Sequence, residues 1–171
     1  MADRIYLLSE KLDHNGLFDF NALYSFAHFW LKEDNNYDVL EDRYNEKVGS
    51  SGRDIHIKWS ASKKVSDYFA MELKIEIEIK GMTDVEVEID GQKKKMNKGK
   101  ISFNVKGALS RDPDNKWDLY PFYRFIKDVY NKYIIPGRVD YFKKDVIKEG
   151  QELKEEIKNM LESSGRRVKT Y

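Results

Sequence analysis

Apolar and polar residues alternate along the middle of the chain with a period of two. The longest run puts an apolar side chain at every second position from Met71 to Ile79, with glutamate or lysine between them. Shorter runs of the same kind cover 55–59, 85–89 and 101–105. Successive side chains of a strand point to opposite faces, so each run has one dry and one wet face. The pattern predicts an antiparallel sheet that is packed on one side only.

Turn signals divide these runs into a meander. Asp90-Gly91 is a strong hairpin dipeptide, and residues 81–83 (Gly-Met-Thr) predict a second turn between two strands. Near the N-terminus, residues 5–12 favour a short strand over a helical turn, and the segment is expected to end at the turn signal of residues 13–16 (Asp-His-Asn-Gly).

Three segments show helical spacing instead. The first begins at Asp19 or Asn21 and runs to about Lys32, the second covers 119–134, and the last covers 138–162. The predicted fold is therefore α+β: an antiparallel β-meander sheet with one face covered by two or three helices, including a long C-terminal helix. A single domain spans 1–163, and a basic C-terminal tail follows at 164–171.

The amino-acid composition limits the cellular compartments and the kinds of chemistry that we expect for this protein. The 171 residues include no cysteine, which removes disulfides, thiolate metal sites and cysteine nucleophiles together. The N-terminal segment lacks the apolar core of a signal peptide, and no apolar run is long enough to span a bilayer. We expect a cytoplasmic protein without a membrane span.

No catalytic constellation is visible. The histidines at 14, 28 and 56 do not fall at ligand spacing, and a zinc site needs three or four converging ligands. Five glutamates share the wet face of the predicted sheet with lysines between them: Glu72, Glu76, Glu78, Glu86 and Glu88. A solvated face paired across strands is the favoured interpretation, with a divalent-cation site as the smaller alternative. We therefore expect a non-enzymatic protein with no cofactor and no metal.

A lysine-rich hairpin at 93–100 is the most suggestive charged feature in a chain of net charge +1. Its lysines can follow a phosphate backbone, or they can protect a sheet edge from aggregation. Two arginines of the basic tail add slightly to the nucleic-acid hypothesis. The candidate nucleic-acid-binding residues are Lys93, Lys94, Lys95, Lys98, Lys100, Arg166 and Arg167.

Aromatic residues cluster around the first two helices in larger numbers than one helical stripe hides. They predict either a subunit interface or the lining of a ligand cavity between helices and sheet. The candidates are Phe29, Trp30, Trp117, Tyr120 and Phe125.

Two segments carry a family resemblance. They are Leu17-Phe18-Asp19-Phe20 with Trp30-Leu31 further on, and residues 84–101, which include Asp84-Val85-Glu86-Val87-Glu88 and Met96-Asn97-Lys98-Gly99-Lys100-Ile101. In these segments the chain resembles a family of uncharacterised conserved archaeal proteins of similar length. The resemblance implies an archaeal, cytoplasmic origin and brings no catalytic residue with it.

Three functional hypotheses follow. The leading one is a non-enzymatic interaction protein that self-associates as a homo-oligomer. The first alternative is an RNA- or ribosome-associated module that uses the lysine hairpin. The second is a carrier of a lipid or other apolar molecule, by analogy with helix-grip domains, whose element order the predicted order does not match well.

Overall fold

The computed structural model describes residues 3–133 and 135–166. Within these ranges the chain forms, in order, β1 (Asp3–Phe18), α1 (Phe20–Phe29), a π-helical turn (Trp30–Asp34), β2 (Asp38–Gly49), β3 (Gly52–Lys64), β4 (Phe69–Ile89), β5 (Gln92–Arg111), a 3-10 turn (Lys116–Asp118), α2 (Pro121–Tyr133) and α3 (Ile135–Arg166).

The five strands of the described ranges form one antiparallel sheet in the order β1-β5-β4-β3-β2. Strands β2 to β5 are a meander, and β1 lies beside the last strand of that meander. The α+β prediction, with an antiparallel sheet and a long C-terminal helix, is confirmed.

Alternation along the strands separates a dry face from a wet one, as predicted. Each strand of the sheet centre buries every second side chain against the helices. The buried set on the dry face is Ile55, Ile57, Trp59, Met71, Leu73, Ile75, Ile77, Ile79, Ile101, Phe103 and Val105. The opposite face carries charged and polar side chains and is called the outer face below.

Two predicted turns are wrong. β1 continues through residues 13–16, where His14 lies opposite Ile101 and Gly16 opposite Gly99. β4 likewise continues through Gly81, and the irregularity there is a register shift against both of its neighbours, β3 and β5. In both places the neighbouring strand β5 pairs the backbone on either side, and this pairing outweighs the local turn propensity of the sequence.

Helix α1 begins as predicted. The Asp19 side chain accepts a hydrogen bond from the backbone N–H of Ala22, which is the usual N-cap arrangement. The helix packs its buried residues Leu23 and Ala27 on the sheet, and Trp30 and Leu31 extend this contact in the π-helical turn.

Helix α3 lies across β1, β5 and β4 and closes the other half of the dry face. Its buried residues follow a narrow stripe, and Gly150 brings the helix backbone against Leu8 of β1. The buried stripe consists of Val139, Val146, Gly150, Leu153, Ile157 and Leu161.

The C-terminal boundary differs from the prediction. Helix α3 extends to Arg166, so residues 164–166 of the predicted tail are helical, while 167–171 lie outside the described residues. Within the described part of the chain, no helix combines the length and apolar character needed to cross a bilayer.

Candidate functional site

Helix α2 is attached to the rest of the domain along one side. Tyr68, which directly precedes β4, donates a hydrogen bond to Asn131 Oδ1 at 2.9 Å. Tyr130 contacts the edge of the Tyr68 ring and stacks on Trp117, with ring planes 19° apart. These contacts fix the position of the helix but bury none of its side chains completely.

The remaining apolar surface of α2 faces solvent. Phe122, Phe125, Val129 and Tyr133 recur at intervals of three and four residues, so they lie on one side of the helix. We call the exposed apolar side chains of this region the aromatic face. Its members are Leu119, Tyr120, Phe122, Tyr123, Phe125, Val129 and Tyr133.

The structure separates the five aromatic residues singled out from the sequence. Tyr120 and Phe125 belong to the aromatic face, and Trp117 is half-buried beside it. Phe29 is exposed on α1, a different helix. Trp30 is only 8% exposed and belongs to the core, so it adds little to any exposed surface, and its role as an interface or ligand-lining residue stays a prediction. It is held there because α1 turns its apolar side towards the sheet.

The lysine hairpin consists of the distal halves of β4 and β5, joined at Asp90-Gly91. Its lysines do not form an isolated cationic tip, because the register places Lys95 opposite Glu86 and Lys93 opposite Glu88. Opposite charges in these positions stabilise a two-stranded ribbon.

Charges on the whole hairpin nearly cancel. The acids are Asp84, Glu86, Glu88 and Asp90, and the lysines are Lys93, Lys94, Lys95, Lys98 and Lys100. Lys94 also lies 3.6 Å from Asp19. Arg166 is exposed at the end of α3, and Arg167 lies outside the described residues. The pairing favours the protective interpretation of the lysines, and RNA binding stays a prediction.

A polar cluster lies at the centre of the outer face. His56 Nε2 is 2.6 Å from Glu76 Oε1 and 3.8 Å from Glu78 Oε1. His56 is on β3, and both glutamates are on β4, where they are separated by one residue and therefore share a face. Lys58 Nζ also reaches Glu76 Oε1, at 3.0 Å. The hydrogen bond from His56 holds the pKa of Glu76 below its ordinary value.

The sequence predicts a divalent-cation site among the glutamates of the wet face only as the smaller alternative, and it does not bring His56 to them, because that contact depends on strand register. The three histidines lie far apart in the sequence, and Glu76 and Glu78 belong to a longer series of glutamates on the wet face. The register of β3 with β4 is what sets His56 opposite Glu78. The alternation in β3 and β4 indicates which side chains share the outer face. The register that pairs His56 with Glu78 also depends on the length of the connection at 65–68, which the alternation does not give.

Lysines flank the polar cluster along the two central strands. Lys74 lies opposite Lys106 on one side of it, and Lys80 lies opposite Lys100 on the other. Like charges directly opposite each other destabilise a sheet, so these pairs are unfavourable in isolation. A cavity of about 460 Å³ opens between Glu78 and the second pair, with Lys11 and Asp13 on its far side.

Two hydrogen-bond networks, the first of them partly buried, tie the helices to the sheet. Tyr37 donates to Glu149 Oε2 at 2.5 Å, and Lys63 Nζ lies 2.8 Å from the other carboxylate oxygen. Burial and this hydrogen bond raise the pKa of Tyr37. In the second network, Tyr24 donates to Glu41, and burial together with this bond raises the pKa of Tyr24 to about 12. Both acceptors, Glu149 and Glu41, hold a tyrosine of another element in place, so we infer that both networks stabilise the fold.

The packing beneath α3 bears on the carrier hypothesis. A Cβ atom at Gly150 would lie 2.1 Å from Leu8 Cδ2, and one at Gly107 of β5 would lie 2.7 Å from Val146 Cγ1. Helix and sheet are therefore in direct contact at this crossing, and an apolar ligand has no room there. Carriage of an apolar molecule stays a prediction.

The fold and these surfaces define the class of protein: an α+β domain with a one-sided antiparallel sheet and a partly docked amphipathic helix. No family model, curated protein or solved structure matches the chain.

Proposed function

We propose that the protein is a non-enzymatic interaction protein that self-associates through the aromatic face of α2. The observation that carries this proposal is the exposure of five aromatic side chains within fourteen residues. Their exposed fractions are 61% for Tyr120, 68% for Phe122, 47% for Tyr123, 68% for Phe125 and 71% for Tyr133.

The area of this face is large for a monomer. An aromatic side chain presents about 200 Å², so the five together expose roughly 600 Å². The largest apolar patch of a typical monomer is about 300–600 Å², and such patches mark interaction sites. Two copies that cover this face against each other would bury about 1,200 Å², which lies within the range of specific interfaces.

The open edges of the sheet are less suited to self-association. β1 carries a register shift between Tyr6 and Leu8, and β2 carries one between Glu41 and Arg43. β2 is also exposed and rich in charged residues. Bulges and charges of this kind keep sheet edges from pairing with another chain. The helical face is therefore the surface through which we expect two copies to meet.

Sedimentation equilibrium over a micromolar concentration range tests the proposal. We expect the wild-type chain to form a dimer or higher oligomer, and the variants F122E and F125E to sediment as monomers. Both positions are exposed, so the substitutions leave the core intact, and far-UV circular dichroism verifies this.

The matched control is F29E, which places the same charge at an exposed phenylalanine of α1. It should leave the association unchanged. A wild-type chain that remains monomeric throughout the range would contradict the proposal. Loss of association in F29E but not in F125E would indicate that the interface lies on α1, and this result would also contradict the proposal.

A further inference from the structure

The polar cluster of the outer face has the composition and shape of a metal site. Glu76 and Glu78 are two residues apart on β4 and project from the same face, and His56 projects beside them from β3. One ligand atom from each of the three residues can be chosen so that all lie within 4.8 Å of one another. Ligand atoms around a single ion, each about 2.0–2.2 Å from it, are at most about 4.4 Å apart, so small movements of these side chains bring the three atoms to one ion.

We propose that His56, Glu76 and Glu78 bind one divalent transition-metal ion, of which Zn²⁺ is the best-suited example. An imidazole nitrogen with two carboxylates is a ligand set that Zn²⁺ accepts, and the two negative charges compensate the ion. Three protein ligands from a rigid sheet leave one or more coordination positions for water or another small ligand. This proposal does not depend on self-association through α2.

The surroundings leave space on the open side of the site. All three side chains are partly exposed, so the ion can enter from solvent. The cavity of about 460 Å³ reaches Glu78 from the β1 side. Lys80 and Lys100 line this cavity, and their positive charges favour an anion or a hydroxide in the open coordination positions.

Two interactions compete with the ion. His56 Nε2 is hydrogen-bonded to Glu76 Oε1, and this hydrogen bond has to break when the nitrogen binds a metal, because a metal-binding imidazole nitrogen carries no proton. Lys58 Nζ forms an ion pair with the same carboxylate oxygen, Glu76 Oε1, at 3.0 Å. Because the lysine is on the exposed face and has a flexible stem, it can swing away, but its charge still opposes the ion. Removing this charge should therefore strengthen metal binding.

Isothermal titration calorimetry of the full chain with Zn²⁺ tests the proposal, in a buffer without chelating groups. We expect one saturable site per chain. H56A and E78Q should each weaken the affinity by at least about tenfold, which is the lower range found when even an outer partner of a ligand is removed. K58M should tighten it, because the competing ammonium group is gone.

The matched control is E72Q, which removes a carboxylate from the same face of the same strand, outside the cluster. It should leave the affinity unchanged. Titration with Co²⁺ adds a spectroscopic readout, since a bound ion gives visible absorption bands that H56A should lack. Urea unfolding without metal verifies that each variant is folded. Absence of a saturable site in the wild type, or an affinity that H56A leaves unchanged, overturns the proposal.

Discussion

Replacing Gly150 with alanine brings together two effects of opposite sign. Within a helix, alanine is favoured over glycine by about 1 kcal/mol because glycine loses more backbone entropy. At Gly150 the new methyl group would lie 2.1 Å from Leu8 Cδ2, well inside van der Waals contact. Either Leu8 leaves its position or α3 moves away from β1.

The magnitude follows from these two contributions. Inserting a methyl group into a packed contact costs about 1–3 kcal/mol, and the short distance at Gly150 places the cost near the middle of that range. After the helix propensity is subtracted, we expect G150A to lower the free energy of unfolding by about 1 kcal/mol. Leu73 Cδ2 lies 3.8 Å from the same point and limits how far Leu8 can rotate.

Urea unfolding followed by circular dichroism measures the difference. The control is G137A, in the same helix, where a Cβ atom meets no other atom within 4 Å. That variant should gain up to about 1 kcal/mol from helix propensity alone. A second control combines G150A with L8A, which removes the obstructing atoms. In that background G150A should be neutral or stabilising.

The refuting outcome is specific. If G150A raises the stability as much as G137A does, or if G150A costs the same with and without Leu8, then α3 does not lie on β1 in the described way. A coupling between the two sites of about 0.5–3 kcal/mol is the range expected for residues in contact.

Two further predictions concern charge. Because Tyr24 has its pKa raised from 10.0 to about 12 by burial and by Glu41, the unfolded chain ionises this phenol first, so its contribution to stability is complete below pH 10.0 and is lost as the pH rises through about 12. Urea unfolding on either side of pH 10.0 should show a smaller alkaline loss in Y24F than in the wild type; equal losses would contradict this assignment. Replacing the lysines of 93–95 with glutamate sets like charges opposite Glu86 and Glu88 and should cost about 1 kcal/mol in urea unfolding. Glutamine at the same positions should cost less, and a charge reversal without cost would show that the ribbon is not paired in this register.

The sheet was largely predictable because alternation is a local signal. The runs at 55–59, 71–79 and 101–105 predicted the central strands and their buried faces, and Asp90-Gly91 predicted the hairpin, all of which the structure shows. The run at 85–89 is a strand as predicted, but it buries none of its apolar side chains and follows the register shift after Lys80. The turns expected at 13–16 and 81–83 were wrong, since turn propensity reports only the isolated segment. In the folded chain, both segments form backbone hydrogen bonds with β5, which is distant in sequence. Local turn propensity does not take such pairing into account.

The candidate site was less predictable for a different physical reason. Helical spacing identified the apolar stripe of α2, but spacing does not tell whether a sheet, a second chain or water covers the stripe. Trp30 and Phe125 had similar standing in the sequence, and the structure buries the first and exposes the second. The polar cluster of His56, Glu76 and Glu78 required the register of two strands.

The pairing of β1 with β5 also determines the order in which the molecule can fold. β2 to β5 are joined by short connections, so their hairpins close small loops. In contrast, Asp3 in the first strand pairs with Arg111 in the last strand along the chain. Bringing β1 to β5 closes a loop of roughly a hundred residues. Its entropic cost is larger than that of the hairpin loops, and this slows folding. We therefore expect β1 to be the last strand to join, and α3, which rests on β1, to complete its packing only then. Until that step the edge of β5 is open, and the nascent chain is most vulnerable to wrong partners during this interval.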